Sequence, residues 1–253
     1  MLRILFDPTL TWPERFTIGC MLIIVLLFSL SIHEIMHGYA AYRLGDDTAR
    51  LQGRLTLNPL AHLDPIGTLM MLIAGFGWAK PVQVNYGRLT KFKDRSISIR
   101  IVSVAGVTAN FVVAFLSYII YMALNIIGFK LGLIDGTSTL TSSLSFSGMI
   151  VLIFVMLFNF MYTFNLMLMA FNLLPIPPLD GYHFIETFLP YNLKQKIQGF
   201  ERYFGIIFLA LILFGSYSNM NPLGSLIGWI EIPFRYIIET PINYFGSIIF
   251  NSL

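Results

Sequence analysis

Charge is scarce in this chain, and no long polar stretch interrupts it. Only 11% of its 253 residues are Asp, Glu, Lys or Arg, against 56% hydrophobic residues, whereas ordinary soluble domains carry about 25% charge. That excludes a soluble globular enzyme, and it leaves no segment to build a separate soluble regulatory domain. The single cysteine, Cys20, lies inside an apolar run, so no intrachain disulfide can form and the redox compartment goes unreported. The formal net charge is only +3, and its basic residues cluster where they report topology, so no nucleic-acid partner is implied.

Long apolar runs take the place of polar sequence. Phe16 to about Tyr42, Ile97 to about Leu124 and Gly148 to Leu173 each exceed the roughly 20 residues that cross a ~30 Å hydrocarbon core. No small-residue cleavage pattern follows the first run, which therefore reads as a retained span rather than a removable signal. "GTLMMLIAGFG", Gly67 to Gly77, has 11 residues and would reach about halfway across, so it reads as re-entrant or interfacial. Tyr203 to Gly215 is expected to form a fourth span of minimal length, and Pro233 should interrupt any long helix in the tail. The expected fold class is an all-α polytopic membrane protein. Residues 1–186 should form a three-helix catalytic core with a re-entrant or β-hairpin element, and residues 187–253 one or more further membrane segments of the same domain.

Basic residues give the orientation. Nine of the 16 Lys and Arg lie between Arg43 and Arg100, and the loop "LGLIDGTSTLTSSLSFSG" after the second run holds none. The positive-inside bias places the 43–96 region in the cytoplasm, and Lys194, Lys196 and Arg202 after the third run agree. The inner ends of the first and third spans should therefore meet at one membrane face.

At that face the first run ends in "SIHEIMHGYA". Ionisable groups in hydrocarbon are costly and mark function by default. His33, Glu34 and His37 form H-E-x-x-H. On a helix, positions i and i+4 share a face, so both imidazoles can reach one metal ion while Glu34 stands beside the water such a metal activates. The same groups could instead line a polar cavity or bond neighbouring helices. With 4 His and 6 Glu in the chain, chance should produce the pattern roughly once or twice in a thousand such sequences, which favours the metal. A catalytic zinc site usually has a third protein ligand, to be sought among His62, Asp64, Asp94, Asp180, His183 and Glu186. Asp180 is best placed: the prolines of "FNLLPIPPLDGYHF" force a rigid turn after the third span, and Gly181 permits a tight backbone. An ordinary turn aspartate is the plain alternative.

"HEIMH" on a membrane helix, together with "NLLPIPPLDG", resembles the site-2 proteases, intramembrane zinc metalloproteases that cut transmembrane segments of other proteins. "GRLTLNPLAHLDPIGTLM" and "GFGWAKPVQVN" resemble the small bacterial branch of that family, and "AGVTANFVVA" resembles one of its small-residue stretches. The likeness covers roughly Met21 to His183. It implies Zn2+ held by His33, His37 and Asp180, Glu34 as general base, and Asn172 steadying the substrate backbone or a developing oxyanion. It also implies regulated intramembrane proteolysis of transmembrane substrates in the lipid bilayer of a bacterial cytoplasmic membrane, with the active site near the cytoplasmic face. The identity of a regulatory membrane partner stays open. Neither a PDZ insertion nor a CBS tail is read in this sequence, so regulation by those modules is not expected, and no motif matches beyond Glu186.

Three further readings concern neighbours of this set. Asn165, two turns before Asn172, is expected to bond adjacent helices. His62 is expected to play a structural or gating role rather than a catalytic one. In "KPVQVNY", Val82 and Val84 alternate with Gln83 and Asn85 at the period of a strand, whose edge could pair with an unwound substrate. Two rivals remain: a metal transporter should carry ionisable groups through the full depth of several spans, and an inactive binding protein or chaperone of the same fold would have no chemical need for Glu34.

Overall fold

The computed structural model describes residues 10–65, 67, 79–135, 138–140, 142–217 and 222–252. Regular structure among them is helical apart from one isolated antiparallel bridge between Leu63 and Ala79. The re-entrant element expected over Gly67 to Gly77 lies, beyond Gly67 itself, outside the described residues.

Three long helices form the core: α1 (Trp12–Arg43), then α3 (Arg95–Lys130) and α4 (Phe146–Asn172), with the single-turn α2 (Thr48–Leu51) following α1. Each starts where a polar side chain can satisfy an orphan amide. The Glu14 carboxylate accepts from the Thr11 N–H and hydroxyl, both at 2.8 Å, Asp94 accepts from Ser96 N–H at 2.9 Å, and Ser145 from Gly148 N–H at 3.1 Å. These three helices are long and apolar enough to cross a membrane, and they coincide with the three runs expected from sequence.

Their packing is inverted relative to a soluble bundle. Ile24, Phe28, Val112, Leu116 and Phe154 are exposed, and only 22% to 28% of the most apolar window of each helix is buried, so the greasiest faces meet lipid. The buried faces carry Ser29, Ser98, Ser103, Gly106, Ala109, Asn110 and Asn165. Small residues let helix backbones approach closely in hydrocarbon, where apolar side chains gain nothing by leaving lipid. The chain is an integral membrane protein of all-α class.

The C-terminal part departs from expectation. Tyr203 to Gly215 is helical within α6 (Tyr191–Tyr217), which packs against α7 (Pro222–Ser252). Pro233 does not interrupt α7, since both Pro233 and Pro241 sit inside one continuous helix. Proline removes a ladder bond, yet such a helix persists when its neighbours hold it on both sides of the break. Here Leu223 and Ile230 pack with Leu174 and Leu179, Ile238 is buried with Tyr118 and Tyr162, and Phe250 meets Phe129 at 5.3 Å between ring centroids. α7 thus runs along the core from the end where α4 finishes to the end where α3 finishes.

α7 also carries Glu231, Arg235, Glu239 and Asn243 at successive four-residue steps, one polar stripe turned toward the core. Arg235 pairs with Glu231 at 2.7 Å and lies 3.5 Å from Glu239. The Tyr162 hydroxyl donates to Glu239 at 2.5 Å and the Tyr118 hydroxyl to Asn243 at 2.7 Å. Ionisable groups are therefore not confined to one end of the bundle, as the sequence had suggested. Arg235 stands between the two carboxylates and the Tyr162 hydroxyl donates to the second of them, so each charge of the stripe has a partner within it.

Candidate metal centre

The last turns of α1 present His33, Glu34 and His37. After α4 ends at Asn172 the chain turns through Pro175, Pro177 and Pro178, with a cis bond between the last two, and re-enters a helix at Asp180, the first residue of α5 (Asp180–Glu186). The return is tight: a Cβ on Gly181 would overlap the carbonyl of Leu173. The turn thereby carries the Asp180 carboxylate back beneath α1.

Three ligand atoms converge there. His33 Nε2 and His37 Nε2 are 3.1 Å apart, and Asp180 Oδ2 lies 3.3 Å from the first and 3.1 Å from the second. Tetrahedral coordination with bonds of ~2.0–2.1 Å sets ligand atoms about 3.3 Å apart, so these three atoms have the spacing of one face of such a tetrahedron. Asp180 Oδ2 is buried and forms no hydrogen bond of its own, as expected of an oxygen whose natural partner is a cation. Burial alone would raise the Asp180 carboxyl. The close approach of His33 and His37 outweighs it and holds the group well below the usual carboxylate range. The donor set, two imidazole nitrogens and one carboxylate oxygen, suits Zn2+.

α3 supports both imidazoles. His37 Nδ1–H donates to the Val102 carbonyl at 2.8 Å. A helical Cβ leans toward the N-terminus and would cover the carbonyl four residues back, but position 106 is glycine and Val102 O stays accessible. A Cβ on Gly106 would also strike His37 Nε2 and approach the His33 ring to 2.6 Å. One turn further, Asn110 Oδ1 lies 3.2 Å from His33 Nδ1.

Glu34, beside the two ligands, accepts from the Val82 backbone N–H at 2.7 Å. The expected strand at Lys80 to Tyr86 is an extended segment without a strand partner among the described residues, although its alternation is real: Val82 is buried and Gln83 exposed. Its first amide, Lys80 N–H, donates to the His62 carbonyl at 2.8 Å, and other backbone groups are claimed by side chains. Buried Arg54 donates to the carbonyls of Ala61, Lys80 and Pro81, and buried Asp46 accepts from Asn85 N–H at 2.7 Å. Val82 itself lies against Gly38, where a Cβ would come within 3.1 Å of its methyl group. The segment then turns at Tyr86, whose phenol is pushed above its ordinary value by burial and by the carboxylates of Glu186 and Asp180.

The other third-ligand candidates are engaged elsewhere. His62 is buried and its Nε2–H donates to Thr56 O at 2.8 Å, Asp64 accepts from Gly67 N–H, Asp94 caps α3, and His183 lies 3.5 Å from Glu186. Asn165 donates to Ser29 and to Met161 O, both at 2.8 Å, bonding α4 to α1. Asn172 turns its amide to Leu168 O on its own helix. Sequence reasoning missed Gly106, Asn110, the Val102 carbonyl and the Val82 amide. The four-residue spacing of Gly106 and Asn110 in "AGVTAN" was the only signal for any of them.

Two imidazoles from one helix closed by a carboxylate, with a glutamate beside them and lipid-facing helices around them, define a membrane protein of the metallopeptidase class. The chain belongs to peptidase family M50, the site-2 protease family, whose model matches residues 21–214. It is similar to "Putative zinc metalloprotease YwhC" of Bacillus subtilis, 38% identical over 208 residues, which cover 82% of this chain and 84% of that protein. It is also similar to proteins named "Putative zinc metalloprotease Rip2". The one from Mycolicibacterium smegmatis is 30% identical over 190 residues, and the one from Mycobacterium tuberculosis H37Rv 30% over 197, each covering 74% of this chain and 64% of that protein. No solved structure matches the chain. Membership makes zinc the cofactor, and the His33, His37 and Asp180 cluster is compatible with it.

Proposed function

We propose that this protein is an intramembrane zinc endopeptidase, cutting peptide bonds in or near transmembrane segments of other membrane proteins from a site near the cytoplasmic face of a bacterial cytoplasmic membrane. The reading rests chiefly on the convergence of His33, His37 and Asp180 at tetrahedral spacing with Glu34 next to them. Bound zinc supplies a Lewis acid that activates water and polarises the peptide carbonyl. His33 and His37 bind as neutral imidazoles and Asp180 adds one negative charge, which leaves the centre cationic. Glu34 takes a proton from the attacking water and delivers it to the amine nitrogen as the C–N bond breaks. Asn172 is assigned the role of steadying the substrate backbone, for which its amide must release Leu168 O.

A substrate helix hides its carbonyls in its own hydrogen bonds, and opening one in hydrocarbon without a partner costs several kcal/mol. It must therefore be unwound, and the Lys80 to Tyr86 segment is the element that can offer replacement backbone bonds. In an extended chain alternate residues share an edge, so Val84 N–H lies on the edge that Val82 turns toward Glu34.

The deciding experiment is zinc analysis with a cleavage assay in detergent on wild type and Glu34→Gln. Both should hold one zinc per chain and only the wild type should hydrolyse, because the amide keeps the shape and cannot accept the proton. Near wild-type cleavage by Glu34→Gln would remove it as the base, and a wild type without zinc would remove the metal reading.

A further inference from the structure

Three residues of α3, one turn apart, face the two imidazoles: Val102 through its carbonyl, Gly106 through its missing side chain, and Asn110 through its carboxamide. Asn110 stands out because it is fully buried and only half satisfied. Its Oδ1 meets His33 Nδ1 at 3.2 Å, while its Nδ2 has no hydrogen-bond partner. A buried donor without a partner is destabilising, and an apolar side chain of similar shape would avoid that cost. Stability alone therefore does not account for a carboxamide here.

The chemistry of His33 does account for it. Its Nε2 is the atom that faces His37 Nε2 and Asp180 Oδ2. A neutral imidazole offers a lone pair at one nitrogen only when the proton sits on the other. For Nε2 to serve a metal, Nδ1 must carry the proton, and a buried Nδ1–H needs an acceptor. Asn110 Oδ1 is that acceptor, as Val102 O is for His37.

We propose that Asn110 is a positioning residue for the metal centre: it holds His33 in the Nδ1–H tautomer and fixes the ring plane so that Nε2 points at the ion. This rests on the metal reading given above. The two histidines are then held by unlike means. The acceptor for His37 is main chain and survives any substitution at Val102, whereas the acceptor for His33 is a side chain and can be removed alone.

The test is zinc affinity, measured by chelator competition on zinc-stripped wild type, Asn110→Ala and Asn110→Asp, with thermal unfolding followed in parallel. Loss of an outer partner of a metal-binding histidine weakens binding by about 10–100-fold. The alanine variant should fall by that amount. The aspartate variant, which keeps an acceptor and loses the unpaired donor, should stay within a few-fold of wild type. Wild-type affinity in Asn110→Ala overturns the proposal, as does an equal loss in both variants, since the acceptor is then not what matters. A wild type that binds no zinc overturns the metal reading itself, which separates the two failures. If the alanine variant does not fold, 15N-histidine NMR of the zinc-loaded wild type decides: a slowly exchanging Nδ1–H on His33 supports the assignment, and a proton on Nε2 overturns it.

Discussion

The backbone N–H of Val82 donates to Glu34 Oε2 at 2.7 Å across 48 residues of chain. The proposed base is thus aimed by a loop amide rather than by a side chain, and the loop in turn is fixed by Arg54 and Asp46. Whatever moves this segment moves the carboxylate.

Val82→Pro deletes that N–H, whereas Val82→Ala keeps it and trims only the packing on Gly38. A hydrogen bond to a charged group is worth ~1.5–3 kcal/mol, so kcat should fall about 10–100-fold in the proline variant, with zinc content unchanged and the alanine variant near wild type. Steady-state kinetics on both will show it. Equal losses would assign the effect to packing.

Asp180→Ala removes one of three convergent ligand atoms. Zinc measured on the purified variant should fall well below one per chain, and hydrolysis should fall with it. Full zinc occupancy would require another third ligand.

Gly106→Ala adds one methyl group, yet that carbon would strike His37 Nε2 and crowd the His33 ring. α3 carries the substitution on a helix that favours alanine over glycine by about 1 kcal/mol. The variant should therefore keep its helicity by circular dichroism while losing zinc and activity. Retained activity would mean that the helices part at little cost.

For substrates, one Gly-Asn pair moved turn by turn along a transmembrane segment, kept off the scissile bond, should speed cleavage in the cytoplasmic half and matter much less in the outer half. Val84→Pro should blunt that dependence by removing one edge N–H. Equal rates at every position would end the unwinding argument, and an unchanged rate in Val84→Pro would remove this strand edge from it.

His33, Glu34 and His37 were legible because their geometry is local, i and i+4 on one helix, whereas Asp180 stood out only as the best placed of several candidates and was singled out by the resemblance to the site-2 proteases. The three core helices were equally legible from unbroken apolar runs. Gly106, Asn110 and the Val82 amide were not, since their roles arise from which helix face or loop backbone arrives from elsewhere in the chain. A glycine's use is defined by a neighbour's ring, and a backbone amide leaves no letter in the sequence. α7 was obscured for a different reason: Glu231, Arg235 and Glu239 lower its hydropathy, and Pro233 reads as a break until Leu179, Tyr118 and Phe129 are seen to hold the helix on both sides.

The stripe on α7 bears on how the chain is made. A lone helix with two acids and an arginine faces a penalty of roughly 2.5–3.5 kcal/mol per charge near the bilayer centre, which the translocation machinery would resist. Tyr162 and Tyr118, which receive Glu239 and Asn243, are synthesised some 77 and 125 residues earlier. The receiving surface therefore leaves the ribosome before α7 does. On that order the core is already made when the last helix needs partners for its charges, so a helix poorly suited to enter lipid alone can be taken up by the core it joins.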